Sequence, residues 1–169
     1  PILAGRDRKT IEPLAHELGC EHRIFGLNDP TALATGLRGA KLVLNCAGPF
    51  VRTAPPLIAG CLAAKVSYLD ITGEIDAIEH AARSDDRARA AGVSVIPSVG
   101  FDVVPTDCLA AMLKDDMPDA TYLALGFDSR SGVSGGTMRS TIEGLPRGGR
   151  IRSSGALVTT GGWTSMNLG

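Results

Sequence analysis

The chain has 169 residues, 18 acidic and 17 basic side chains, a formal net charge of -1 and 44% hydrophobic residues. That length suits one ordinary domain, or one domain and part of a second. The near-neutral charge sets up no field that would draw the chain to nucleic acid or a membrane surface, no apolar run approaches the ~20 residues of a membrane span, and the setting expected is the cytoplasm.

Up to about residue 116 short apolar runs alternate with helical segments. Ile2-Leu3-Ala4-Gly5 reads as a strand ending in Arg6-Asp7. Residues 9–18 form an amphipathic helix with Ile11, Leu14, Ala15 and Leu18 on one face, stopped by Gly19. A strand over 22–27 follows, and Asn28-Asp29 caps a helix over 30–37 that opens on proline. Residues 41–46 are apolar enough for a strand buried on both faces. Next come a helix over 54–64 with Pro55 and Pro56 in its first turn, a strand over 67–71 and one long helix over 74–91, ended by Gly92. A fifth strand over 93–97 and a helix over 105–113 complete the series. This alternation predicts the α/β class, with βαβ units wound into a doubly wound parallel sheet.

The composition changes near Pro118. From Ser129 onward five arginines (130, 139, 147, 150 and 152) face one acid, Glu143, so that stretch carries +4 and the remainder -5. Residues 1–118 are therefore expected to form the first domain and 119–169 the start of a second, α+β domain. Within it a strand is expected over 121–127 and a helix over 137–144, before a glycine- and arginine-rich tail. Without interleaved aromatic residues the basic stretch lacks the stacking platform of a single-strand nucleic-acid binder, and no nucleic-acid partner is expected. Cys20, Cys46, Cys61 and Cys108 are widely spaced, and His16, His22 and His80 lie among charged residues, so no metal site or disulfide framework is expected.

In open α/β sheets ligands bind at the carboxyl ends of the strands. Those ends are Gly5-Arg6-Asp7, Asn28-Asp29, Asn45 to Phe50, Asp70 to Glu74, and Ser98 to Asp102. All five are polar or glycine-bearing, which marks one active face. Asp102 is expected toward the cleft, Thr106 or Asp107 at a helix start, and Ser134 to Thr137 as either an anion-binding helix start or a structural turn.

The runs Asn45-Cys46-Ala47-Gly48-Pro49-Phe50, Tyr68-Leu69-Asp70-Ile71-Thr72-Gly73-Glu74 and Gly100-Phe101-Asp102, with Pro105 and Asp107, resemble the saccharopine dehydrogenase-like family, which includes trans-acting enoyl reductases. The resemblance covers nearly the whole chain, including Gly135-Gly136-Thr137. It implies a Rossmann-type NAD(P)-dependent oxidoreductase acting on a small-molecule or lipid-linked substrate, with a homodimer among the assemblies it allows. The family's first strand and its G-x-G-x-x-G-like turn have no counterpart in this sequence, so they are expected ahead of Pro1 and the 169 residues alone are expected to be inactive.

By the same resemblance residues 1–7 are the second Rossmann strand, whose end contacts the adenosine ribose. Arginine there pairs with a 2′-phosphate, whereas an acid bonds a 2′-hydroxyl. Arg6 therefore points to NADP, with Asp7 keeping NAD open; the alternative is a surface ion pair of Arg6 with Asp7 or a nearby acid. Asn45, Ala47, Gly48 and Pro49 are expected beside the ribose and nicotinamide, or simply as a tight strand-to-helix turn. Asp29, Asp70, Thr72 and Glu74 complete the expected cofactor contacts, with helix capping the competing role for Asp70, Thr72 and Glu74. No catalytic residue is assigned. The competing functional readings are a non-catalytic Rossmann-like scaffold or dimerisation module and, on the same architecture, a nucleotide-sugar or methyl-transfer enzyme.

Overall fold

A computed structural model describes residues 1–101, 103–123, 125, 132 and 135–160. The chain divides into two compact units, Pro1–Ser129 and Arg130–Gly169.

The first unit follows the expected alternation: β1 (Ile2–Gly5), α1 (Arg8–Glu17), β2 (Glu21–Ile24), α2 (Pro30–Leu37), β3 (Leu42–Asn45), α3 (Phe50–Ala64), β4 (Ser67–Asp70), α4 (Ile75–Ala82), α5 (Asp85–Ala91), β5 (Val95–Ile96) and α6 (Val104–Asp116). All strand pairs in it are parallel. β1 pairs with β2, Leu3 opposite His22, while β4 lies between β3 and β5, with Val43 opposite Tyr68 and Tyr68 opposite Val95. The five strands thus form two parallel sheets, β1-β2 and β3-β4-β5.

Alternation along the strands sorts the core. Tyr68 is fully buried, with Leu33 and Leu37 of α2, Ala54, Leu57, Ile58 and Cys61 of α3, and Ala77 and Ala81 of α4 packed on the same side. Gly60 lets α3 approach α2 closely, since a Cβ there would lie 2.7 Å from the Leu33 side chain. The other face is open: Leu42, Leu44 and Ile96 are 51%, 53% and 49% exposed. The expectation that the β3 run is buried on both faces is therefore corrected; it packs on one.

Two helices differ instructively from expectation. α3 begins at Phe50, so Pro55 and Pro56 lie inside it rather than in its first turn. Proline in a helix interior removes an intrahelical hydrogen bond, and the earlier start depends on a distant carboxylate that satisfies the first amides. The expected single helix over 74–91 is two, α4 and α5, parted at Arg83-Ser84. There the buried Ser84 hydroxyl donates to the His80 carbonyl at 3.2 Å, the local back-bonding that competes with regular helix. As expected, Gly92 ends α5 in the left-handed region, φ 69°.

The second unit contains α7 (Gly135–Gly144), a short 3₁₀ turn (Leu145–Arg147) and an antiparallel hairpin of β6 (Gly149–Ser153) and β7 (Ala156–Thr160). Ser154 and Gly155 join the strands with φ 48° and 81°, the doubly positive pattern of a two-residue turn matched to strand twist. The expected strand over 121–127 does not form at residues 121–123, and its remainder lies largely outside the described residues. Ser134 and residues 161–169 also lie outside them. No described helix is long and apolar enough to cross a membrane.

Candidate cofactor site

Each strand end of the first unit leads into a helix whose first amides need acceptors; acidic side chains supply them for α1, α2 and α3, whereas α4 and α6 have no side-chain cap. At the end of β1 the Asp7 carboxylate accepts from the Lys9 N–H at 3.1 Å and the Thr10 hydroxyl at 2.6 Å, capping α1. Arg8 pairs with Glu12 one turn on. Arg6 is exposed and, among the described residues, takes part in no hydrogen bond or ion pair. The surface pairing of Arg6 with Asp7 that the sequence left open is thus not made. At the end of β2 Asp29 caps α2, accepting from Thr31 N at 2.9 Å and Ala32 N at 3.1 Å.

The ends of β3, β4 and β5 are tied together. Asn45 is buried; its Oδ1 accepts from Ala47 N at 3.0 Å, and its Nδ2 donates to the Thr53 hydroxyl at 3.2 Å and the Tyr68 hydroxyl at 3.1 Å. Thr53 in turn donates to the Ala47 carbonyl at 2.5 Å. Cys46, Ala47 and Gly48 stand exposed beyond this anchor, and the Gly48–Pro49 peptide is cis. Tyr68 donates to Asp70 Oδ2 at 2.8 Å, while Asp70 Oδ1 accepts from Thr72 N at 3.1 Å and Ser98 N at 2.8 Å. Burial, then the neighbouring Asp70, pushes the Tyr68 hydroxyl well above the ordinary tyrosine range, so it remains a donor. Thr72 Oγ1 accepts from Glu74 N at 2.9 Å, and the Glu74 carboxylate reaches across to Phe50 N at 2.9 Å and Val51 N at 2.8 Å. That is the cap that starts α3 early.

The expected residues thus fall into two groups. Asn45, Ala47, Gly48, Pro49, Asp70, Thr72 and Glu74 belong to one hydrogen-bonded neighbourhood, whereas Arg6 lies at β1 and Asp29 at β2. Thr72 serves the turn by accepting from Glu74, and Glu74 caps α3 rather than its own helix. Asp102 lies outside the described residues. Neither Thr106 nor Asp107 starts α6, which begins at Val104, though Thr106 donates to the Val103 carbonyl at 2.9 Å. The sequence assigns no role to Thr53, names Tyr68 only within a motif run and Ser98 only as the start of a strand end; the two-residue spacing of Tyr68 and Asp70, which puts both on one strand face, is the available signal. A separate apolar cavity of ≈ 630 Å³ between α2 and α3, lined by Leu33, Leu37, Pro56, Gly60 and Ala63 among others, includes none of the expected site residues. It carries no comparable set of polar groups.

A parallel α/β sheet with its polar groups gathered at the strand carboxyl ends defines a Rossmann-type, dinucleotide-binding class of protein. Residues 1–96 match the family model described as the saccharopine dehydrogenase NADP binding domain, and the chain belongs to that family. The cofactor of that family model is NADP. The chain is 31% identical over 169 residues to the saccharopine dehydrogenase-like oxidoreductase of Mus musculus, covering 89% of this chain and 39% of that one. It is 29% identical over 163 residues to a putative trans-acting enoyl reductase of Mycobacterium tuberculosis, covering 85% and 37%. The fold is shared with saccharopine dehydrogenase (L-Glu forming) from Saccharomyces cerevisiae at a TM-score of 0.57 and 20% identity, over 68% of this chain and 24% of that one. The chain spans 29–39% of the length of the first curated relatives it matches.

Proposed function

We propose that the protein is an NADP-dependent oxidoreductase that transfers a hydride between NADP(H) and a small-molecule or lipid-linked substrate. The observation that carries this reading is the division of labour at the end of β1. Asp7 is engaged by its own helix, while Arg6 has no partner among the described residues. In this reading Arg6 takes the 2′-phosphate, the loop of exposed Ala47 and Gly48 and half-buried Pro49 runs beside the ribose and nicotinamide, and Asn45 anchors that loop. The nicotinamide, when bound, supplies the hydride chemistry, and the protein supplies orientation. In this reading the protein works in the cytoplasm, and a homodimer is the assembly to be tested by light scattering. The name of an Arabidopsis thaliana relative places that protein in mitochondria, so cell fractionation is the check on compartment.

The decisive experiment is Arg6→Ala in the intact protein, titrated with NADPH and NADH by cofactor fluorescence. Loss of one charge-assisted pairing, ~1.5–3 kcal/mol, should weaken NADPH binding by about tenfold or more and leave NADH nearly unchanged. Equal losses for both would remove Arg6 from the 2′-phosphate. No binding of either at high micromolar concentration would favour the non-catalytic scaffold.

A further inference from the structure

We infer that Asp70 is a positioning residue, one that sets the cofactor-side edge of the sheet and does not itself touch a bound dinucleotide. The inference rests on the reading of the strand ends given above.

Asp70 is fully buried, and both carboxylate oxygens are occupied by the protein: Oδ1 by the Thr72 and Ser98 amides, Oδ2 by the Tyr68 hydroxyl. All three partners are neutral donors. A carboxylate held away from water without a cation is tolerated only where donors of this kind surround it. The side chain is therefore turned into the structure rather than toward a ligand.

Its partners belong to different strand ends. Thr72 follows β4, Ser98 follows β5, and Tyr68 passes the connection to Asn45 at the end of β3. From Asn45 the bonds continue through Thr53 on α3 to the Ala47 carbonyl, and through Thr72 and Glu74 to the first amides of α3. The network closes on itself: Asp70, Tyr68, Asn45, Thr53, the first turn of α3, Glu74, Thr72 and Asp70 again. Three loops on one edge are thus fixed relative to one another by a single buried group.

Ser98 gives independent testimony. It holds φ 63°, unusual for a residue with a Cβ, and among the described residues its Oγ is the buried side-chain polar atom without a partner. Such a conformation persists only where its surroundings over-determine it. Here Asp70 does so twice, accepting Ser98 N on its carboxylate and Val99 N on its carbonyl, each at 2.8 Å.

The test compares wild type, Tyr68→Phe, Asp70→Asn and the double variant of the intact protein. Asp70→Asn keeps an acceptor at Oδ1 but turns an amide donor toward a hydroxyl that already accepts from Asn45. Tyr68→Phe cuts the same link with little change of shape. Each single substitution should weaken NADPH binding about tenfold, which is ~1.4 kcal/mol, and the double by no more than the larger single effect, because both break one link. Ala88→Gly on α5, measured for its loss of Tm, should leave the Kd within about twofold. Amide exchange at Thr72 and Ser98 should quicken by about tenfold in Asp70→Asn, since a neutral acceptor holds an N–H less strongly than a carboxylate.

Wild-type affinity in both single variants would overturn the inference. So would equal weakening by Ala88→Gly at matched Tm, or unchanged exchange at both amides. Failure of the wild type to bind NADPH would instead overturn the cofactor reading, and the exchange measurement would still decide whether Asp70 holds the two loops.

Discussion

Glu74→Ala should destabilise the protein through a helix that lies elsewhere in the chain. The Glu74 carboxylate accepts from Phe50 N at 2.9 Å and Val51 N at 2.8 Å, and α3 has no side-chain cap of its own. Removing it leaves two first-turn amides without their acceptor and takes a negative charge from the positive end of a 15-residue helix. Loss of a cap costs ~0.5–2 kcal/mol, and a hydrogen bond to a charged group contributes ~1.5–3 kcal/mol. Glu74 is only half-buried, so water replaces part of what is lost. A loss of about 2 kcal/mol is expected, and about half that for Glu74→Gln, which retains one acceptor oxygen. Because α3 supplies Ala54, Leu57, Ile58 and Cys61 to the core, the cost should appear in global unfolding, read as a lower urea midpoint at unchanged m-value. A Glu74→Ala midpoint indistinguishable from wild type would show that the first turn of α3 does not depend on this carboxylate.

The cysteines should separate by accessibility. Burial raises the Cys61 thiol to about 12, whereas Cys46 and Cys108 are exposed, so iodoacetamide at pH 8 should label those two in the native protein and reach Cys61 only on unfolding; native labelling of Cys61 at a comparable rate would refute its placement. The 169-residue chain expressed alone should self-associate, because β1 and β3 each have one paired neighbour and Leu42 and Leu44 are half exposed. A monomer that melts cooperatively would contradict that expectation.

The βαβ rhythm was legible because it is written locally, in apolar runs of strand length and in caps next to the helices they start. Asp29 before Pro30 gave the start of α2 to the residue. α3 failed the same reading because its cap lies at residue 74, and nothing near Phe50 announces a carboxylate arriving from another loop. The split of residues 74–91 was obscured for a different reason: Ser84 reads as an ordinary polar position, and only its burial turns its hydroxyl against the helix. The candidate site was legible as strand ends. Which acids were committed to backbone amides, and that Tyr68 joined Asn45 to Asp70, required the register of β3 against β4.

That commitment of acids bears directly on cofactor choice. Asp7, Asp29, Asp70 and Glu74 all lie at the strand carboxyl ends, and four carboxylates gathered there would ordinarily repel a phosphate-bearing ligand. Each is instead engaged by neighbouring donors: Asp7 on α1, Asp29 on α2, Glu74 on α3, and Asp70 on the turns after β4 and β5. The same arrangement fills the α1, α2 and α3 amino termini with the protein's own acids, which removes them as anion sites. In the proposed reading the attraction for a 2′-phosphate comes from a side chain, and Arg6 is exposed and unpaired among the described residues at the strand end where that group is expected. In that proposed reading, a preference for NADP over NAD is set as much by what occupies Asp7 as by the presence of Arg6.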